Sequence, residues 1–143
     1  MEYREFIAQV QGRGKLVTFE EAEVATLAVM RALADVLCRE RAASMRPYLP
    51  AELFSLFERC PSEAHPFIDS QTFIGWASAG LDAVGMLDKT LGGMDLFAVD
   101  AADEAVRRCG CVFSVLKSCL DSGLHEAFAR ELPEEVCIWF RAA

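Results

Sequence analysis

The chain has 143 residues, of which 53% are hydrophobic and 25% are charged, and its formal net charge is −8. This length suits one domain with a sizeable core, and the hydrophobic content exceeds the usual ~45–50%, so we expect a further apolar surface such as a homodimer face. The negative charge opposes contact with a phosphate backbone, which excludes nucleic acid as an expected partner.

The first predicted helix lies near the amino end of the chain. Its apolar residues recur at the spacing of one helix face, and two glycines, Gly12 and Gly14, should end it. The residues of that face are Tyr3, Phe6, Ile7 and Val10.

A long second helix follows. Thr18 and Glu21 form a capping box, in which each side chain binds the backbone amide of the other, so the helix should begin at about Phe19. Its apolar stripe is broad enough to predict a central, largely buried helix. The stripe consists of Ala22, Ala25, Val29, Leu33, Val36 and Leu37.

Two shorter helices complete the first half. One is predicted at Ala42–Arg46, before Pro47, and the next opens at Pro50, which should occupy the first helical position with Glu52 at the third. Core residues of the latter are Leu53, Phe54, Leu56 and Phe57. Residues 60–68 contain two prolines and form the predicted seam between the halves.

The second half repeats these elements. Asp69 or Ser70 should cap a fifth helix, and Asp100 with Asp103 should cap a sixth, the counterpart of the second. The apolar faces are Phe73, Ala77, Leu81 and Val84 in the fifth, and Val106, Cys109, Phe113, Leu116 and Leu120 in the sixth. A short helix within Leu124–Arg130 and a last one opening at Pro133 end the chain.

An internal offset relates the two halves. Pro133 lies 83 residues after Pro50, and the same offset pairs similar residues over Glu20–Phe57 and Asp103–Phe140. The pairs include Glu21 with Glu104, Val29 with Val112, Leu33 with Leu116, Leu37 with Leu120 and Phe57 with Phe140. Such repetition predicts one domain made of two pseudo-symmetric halves, residues 1–60 and 69–143, that share a core.

The halves differ in one segment. Phe73 lies only 67 residues after Phe6, so the second half holds 16 additional residues, which we place within Ala79–Val99. This segment is too apolar for a solvated loop, and we expect a helical turn or two that cover a pocket or a dimer face. The candidate interaction surface consists of Trp76, Met86, Leu87, Met94, Leu96 and Phe97.

The repeated pattern resembles the DUF2267 family of uncharacterised bacterial helical proteins. Both halves carry an aromatic-aliphatic pair in the opening helix, an E-A pair before a long apolar stripe, and L-P-x-E before an aromatic residue. The first half has Phe6-Ile7, Glu21-Ala22, Leu49-Pro50, Glu52 and Phe57, and the second has Phe73-Ile74, Glu104-Ala105, Leu132-Pro133, Glu135 and Phe140. The resemblance implies an all-helical fold, and it brings no established function and no catalytic residues.

We therefore predict an all-α domain of about eight helices, four in each half, with up-and-down packing. Without an export signal or an apolar stretch near the ~20 residues of a membrane span, we expect a cytoplasmic protein with reduced cysteines and no membrane contact.

One short sequence, Cys109-Gly110-Cys111, has the Cys-x-Cys pattern that can bind zinc or form a redox couple. Alternate residues on a helix point ~200° apart, so one metal site cannot easily take both sulfurs, and the periodicity places Cys109 in the core. Cys111 shares a face with Arg107, Ser114 and Ser118, so we select it as a candidate reactive thiol whose pKa the nearby cation would lower.

Other chemistry has no support in the sequence. His65 lies in the linker and His125 stands beside Glu126 on a short helix, so both are expected as surface or capping residues, and no metal site or cofactor is predicted. A phosphate loop beginning at Gly80 fails because Met86 stands where its lysine must be. Paired glutamates occur only at predicted helix starts, where the helix dipole favours them.

Two functional hypotheses remain. We favour a non-enzymatic interaction module that dimerises or docks a protein partner, because apolar residues are in excess and no catalytic group is evident. The alternative is a small-molecule-binding or thiol-based protein, acting in redox or metal chemistry, that uses a pocket between the halves near residues 79–99. Cys111 is the candidate reactive thiol of this alternative.

Overall fold

The computed structural model describes residues 1–59, 69–83 and 95–143, and side chains within 1–58, 69–77 and 103–143. These residues form eight α-helices and no strand, so the all-α prediction is confirmed. The helices are α1 (Tyr3–Gly14), α2 (Phe19–Val36), α3 (Arg39–Ser44), α4 (Ala51–Phe54), α5 (Ser70–Ala83), α6 (Asp95–Cys119), α7 (Ser122–Ala129) and α8 (Glu134–Ala142). Short 3-10 turns at Arg46–Tyr48 and Ser55–Arg59 flank α4.

Helices α2 and α6 lie at the centre. Helix α1 packs against both of them and so does α5, and α2 makes its most extensive contact with α5. Helix α8 packs on α5 and α6. Because α1 contacts α6 and α5 contacts α2, each of the predicted halves buries its first helix against the long helix of the other. One continuous core results, and it includes residues from both halves.

The 83-residue offset joins positions that are buried alike. In α2, Val29 and Leu33 are at most 1% exposed, and their counterparts in α6, Val112 and Leu116, are fully buried. The same agreement holds for the pairs Ala22 and Ala105, Thr26 and Cys109, Met30 and Phe113, Leu37 and Leu120, Leu49 and Leu132, Leu53 and Val136, and Phe57 and Phe140. The apolar spacing therefore identifies the inward faces of both long helices, although Val106 at the start of the predicted stripe is only half-buried.

Local hydrogen bonds explain where the first helices begin and end. Thr18 accepts the Glu21 amide as predicted, at 3.1 Å, but the Glu21 carboxylate accepts the amide of Val17 rather than that of Thr18. Helix α1 ends at Gly14 as predicted, and the residue that turns the chain is Lys15, with a φ of 50°. The amides of Lys15 and Leu16 bond back to the carbonyls of Gly12 and Gln11, the arrangement that commonly closes a helix.

Several predicted helix starts are wrong by a few residues. Pro50 and Pro133 are N-caps with ψ near 150°, so each helix begins one residue later than expected. Helix α3 begins at Arg39, before the predicted Ala42, because Cys38 caps it. Helix α6 begins at Asp95, ahead of the expected cap at Asp100. The intervening residues include no glycine or proline that would end a helix, and two of them, Leu96 and Ala98, are strong helix formers.

Candidate functional site

The predicted interaction surface is described only in part. Trp76 lies on α5, three residues after the buried Phe73 and next to the buried Ala77, so its ring stands at the edge of the inward face. It is 38% exposed, which makes it one of the large apolar side chains that reach solvent. Met86, Leu87 and Met94 lie outside the described residues, and Leu96 and Phe97 lie in α6 at positions whose side chains are not described.

Cys111, the candidate reactive thiol, lies where the carboxyl end of α1 meets α6. A methyl group added at Gly14 would approach the Cys111 Sγ to 3.2 Å, so the glycine allows the two helices to come this close. The guanidinium of Arg107 donates to the Gly14 carbonyl oxygen at 2.5 Å, and Arg13 donates to the Ser114 Oγ at 2.7 Å. The predicted face of Cys111 is therefore partly covered by α1.

A carboxylate organises the arginines beside this thiol. Glu104 accepts hydrogen bonds from Arg107 Nε at 2.9 Å and from Arg108 Nε at 3.0 Å. These bonds, led by that from Arg107, hold the pKa of Glu104 below its usual range despite partial burial. Arg107 consequently joins α6 to the end of α1, since it binds Glu104 in its own helix and the Gly14 carbonyl of α1, and it lies near the thiol.

Burial dominates the electrostatics of the Cys-Gly-Cys sequence. Cys109 is fully buried, and burial raises its pKa to about 12. Burial also raises the pKa of Cys111, against the opposing effect of the Arg107 charge. The cation acts in the expected direction but is outweighed, so the prediction of a lowered pKa is wrong. The expected separation of the two sulfurs onto different faces agrees with their burial, and the reactivity of Cys111 stays a prediction.

A second thiol cluster was missed by sequence reasoning. Cys38 accepts the Arg41 amide at 3.4 Å and donates to the Glu131 carboxylate at 3.0 Å. Arg41 also pairs with Glu131, with 3.5 Å between Nε and Oε2. Burial, followed by the bond to Glu131, raises the pKa of Cys38. The sequence did contain a signal that Cys38 caps a helix. The 83-residue offset pairs Cys38 with Asp121, a residue type that commonly caps helices and that caps α7.

His125 caps a helix, as expected. Its Nε2 lies 2.7 Å from the Lys117 carbonyl oxygen and 3.1 Å from that of Leu120, at the carboxyl end of α6. The ring also meets Phe140 edge-on, with 6.4 Å between centroids. The imidazole therefore binds backbone carbonyl groups at the carboxyl end of α6. His65 lies outside the described residues.

A cleft of about 560 Å³ opens between α2 and the 3-10 turn after α4. Its lining includes one cation, Arg31, and two carboxylates, Asp35 and Glu58, so it has no strong preference for one sign of charge. Within the described part of the chain, no group of three or more histidine, cysteine or acidic residues is placed to hold a metal ion.

The family comparison agrees with the repeated motifs. The model of the family described as "Uncharacterized conserved protein (DUF2267)" matches residues 3–139. The chain belongs to this family. No curated protein matches the chain. Among the described residues of this DUF2267 protein, no helix combines the length and the apolar content needed to cross a membrane.

Proposed function

We propose that this DUF2267 protein is a non-enzymatic helical interaction module that self-associates or docks a protein partner. The observation that supports it most is the partial exposure of Trp76 beside the fully buried Phe73 on α5. Tryptophan is enriched at protein interfaces and contributes strongly when it becomes buried there. The ring stands on the helix that leads directly into the segment present in only one half.

The roles of the polar groups near the thiols favour binding over chemistry. Arg107 and Glu104 bind each other and anchor α1, and Glu131 binds Cys38 and Arg41. A catalytic acid, base or nucleophile needs a group that can reach a substrate. Arg107 and Glu131 instead join one element of the fold to another, and Glu104 binds the arginines of its own helix.

The proposal includes a duplicated architecture in which matched positions serve packing. The agreement in burial between α2 and α6 supports this. The 16 additional residues within 79–99 have no counterpart in the first half, so they are free to carry what is particular to this chain. We assign the interaction surface to Trp76 together with this segment, and we place the protein in a bacterial cytoplasm, where the unpaired Cys38, Cys109, Cys111, Cys119 and Cys137 would stay reduced.

The test combines mass with the fluorescence of one tryptophan. The chain has two tryptophans, so Trp139→Phe leaves Trp76 as the only such fluorophore. We expect light scattering to give about twice the monomer mass of 15.8 kDa at high concentration. The Trp76 emission should shift to the blue over the same concentration range, because the ring leaves water.

Matched substitutions locate the surface. Trp76→Ser should shift the assembly toward monomer, whereas Val17→Ser, at a side chain that is 84% exposed between α1 and α2, should leave the mass unchanged. A monomer at every concentration with an unchanged Trp76 emission would contradict self-association. A dimer that Trp76→Ser leaves intact would move the interface elsewhere.

The thiol-based alternative is supported by the position of Cys111, which is half-buried and near Arg107. Its raised pKa predicts slow reaction with a disulfide reagent near neutral pH, since the thiolate is the nucleophile. The rates at which thiols of the native chain and of Cys111→Ser react with the disulfide reagent would test whether Cys111 is reactive. Loss of a fast-reacting thiol in Cys111→Ser would favour the alternative, and identical slow kinetics would reject it.

A further inference from the structure

We draw no further inference here: the strongest candidate, the cluster of Cys38, Arg41 and Glu131 at the start of α3, consists of polar groups that bind one another, and no second observation among the described residues points to a ligand.

Discussion

Helices α2 and α6 share a set of buried positions but differ in the polar groups around them. At the buried position where α2 has Ala25, α6 has Arg108, which is 6% exposed and bound to Glu104. Near its carboxyl end α2 buries Val36, whereas α6 places a half-buried Cys119 at the matching position. The common apolar positions maintain one core, whereas α6 adds a buried ion pair within its own length that α2 lacks at the matching position.

The difference is greatest where α1 ends. Glu21 of α2 accepts a backbone amide in its own capping turn, while the matching Glu104 of α6 binds two arginines, one of which holds the last carbonyl of α1. Equivalent glutamates therefore have different tasks. A match in sequence between the halves establishes equivalent packing more firmly than equivalent polar contacts.

The largest expected effect comes from truncating the shared core. Leu33→Ala and Leu116→Ala each remove a fully buried side chain at matching positions, so each should lower the free energy of unfolding by about 2–5 kcal/mol. Chemical denaturation would measure both. A near-neutral result at either site would show that the two long helices do not contribute equivalently to the core.

Substitution of Gly14 tests the close contact between the end of α1 and Cys111 of α6. Gly14→Ala brings a methyl group to 3.2 Å from the Cys111 Sγ, a crowding expected to cost about 1–3 kcal/mol before any gain in helix propensity. Gly12→Ala is the matched control, because its added methyl would meet no atom within 4 Å beyond its chain neighbours and the backbone of its own helix. It should stabilise α1 by about 1 kcal/mol at most.

Adding Cys111→Ala to Gly14→Ala should recover part of the loss, as expected for residues in contact. Equal stabilities for Gly12→Ala and Gly14→Ala would mean that α1 does not pack closely on α6 at this point.

The matched helix caps provide a third comparison. Asp121→Ala removes the side chain that accepts the Gly123 amide and should cost about 0.5–2 kcal/mol. Cys38→Asp would install a stronger cap, but it should destabilise the protein because the new carboxylate would face Glu131. Glu131→Gln in that background should restore stability, and a stabilising Cys38→Asp alone would refute the contact between Cys38 and Glu131. Thermal unfolding at neutral pH would measure these differences.

The smallest expected effect depends on pH. Glu104 binds in its ionised form and has a lowered pKa, so its contribution is complete above the ordinary glutamate pKa of about 4.3 and is lost as the pH falls through the lowered value. Glu104→Gln should therefore be less stable than the native chain near pH 7, and the difference should shrink on acidification. Glu21→Gln is the control, and a difference for Glu104→Gln that stays constant with pH would contradict the ion pairs.

Apolar periodicity was sufficient to predict the fold class and most of the core, because burial at a spacing of 3.6 residues leaves a strong pattern in a chain of long helices. The ends of the helices were harder to predict from the sequence than their buried faces. Asp100 was expected as the cap, but the residues just before it include no glycine or proline, so α6 begins at Asp95. Cys38 was not recognised as a cap because cysteine seldom serves as one.

The candidate site was predictable only in part. The shared helix face of Arg107, Cys111 and Ser114 follows from their spacing, but the closure of that face by α1 depends on tertiary contacts at Gly14 and Arg13. The pKa of Cys111 depends on the balance between burial and a nearby charge, which sequence spacing does not determine.

Native-state hydrogen exchange tests most directly the claim that both halves form one core. The amides of Val29 in α2 and Val112 in α6 lie at matching buried positions of helices that pack on each other. In a single cooperative core, both amides exchange only through global unfolding, with the same free energy of opening and the same dependence on denaturant. A clearly lower free energy for one of the two helices would contradict the account, because that half would then open without the other.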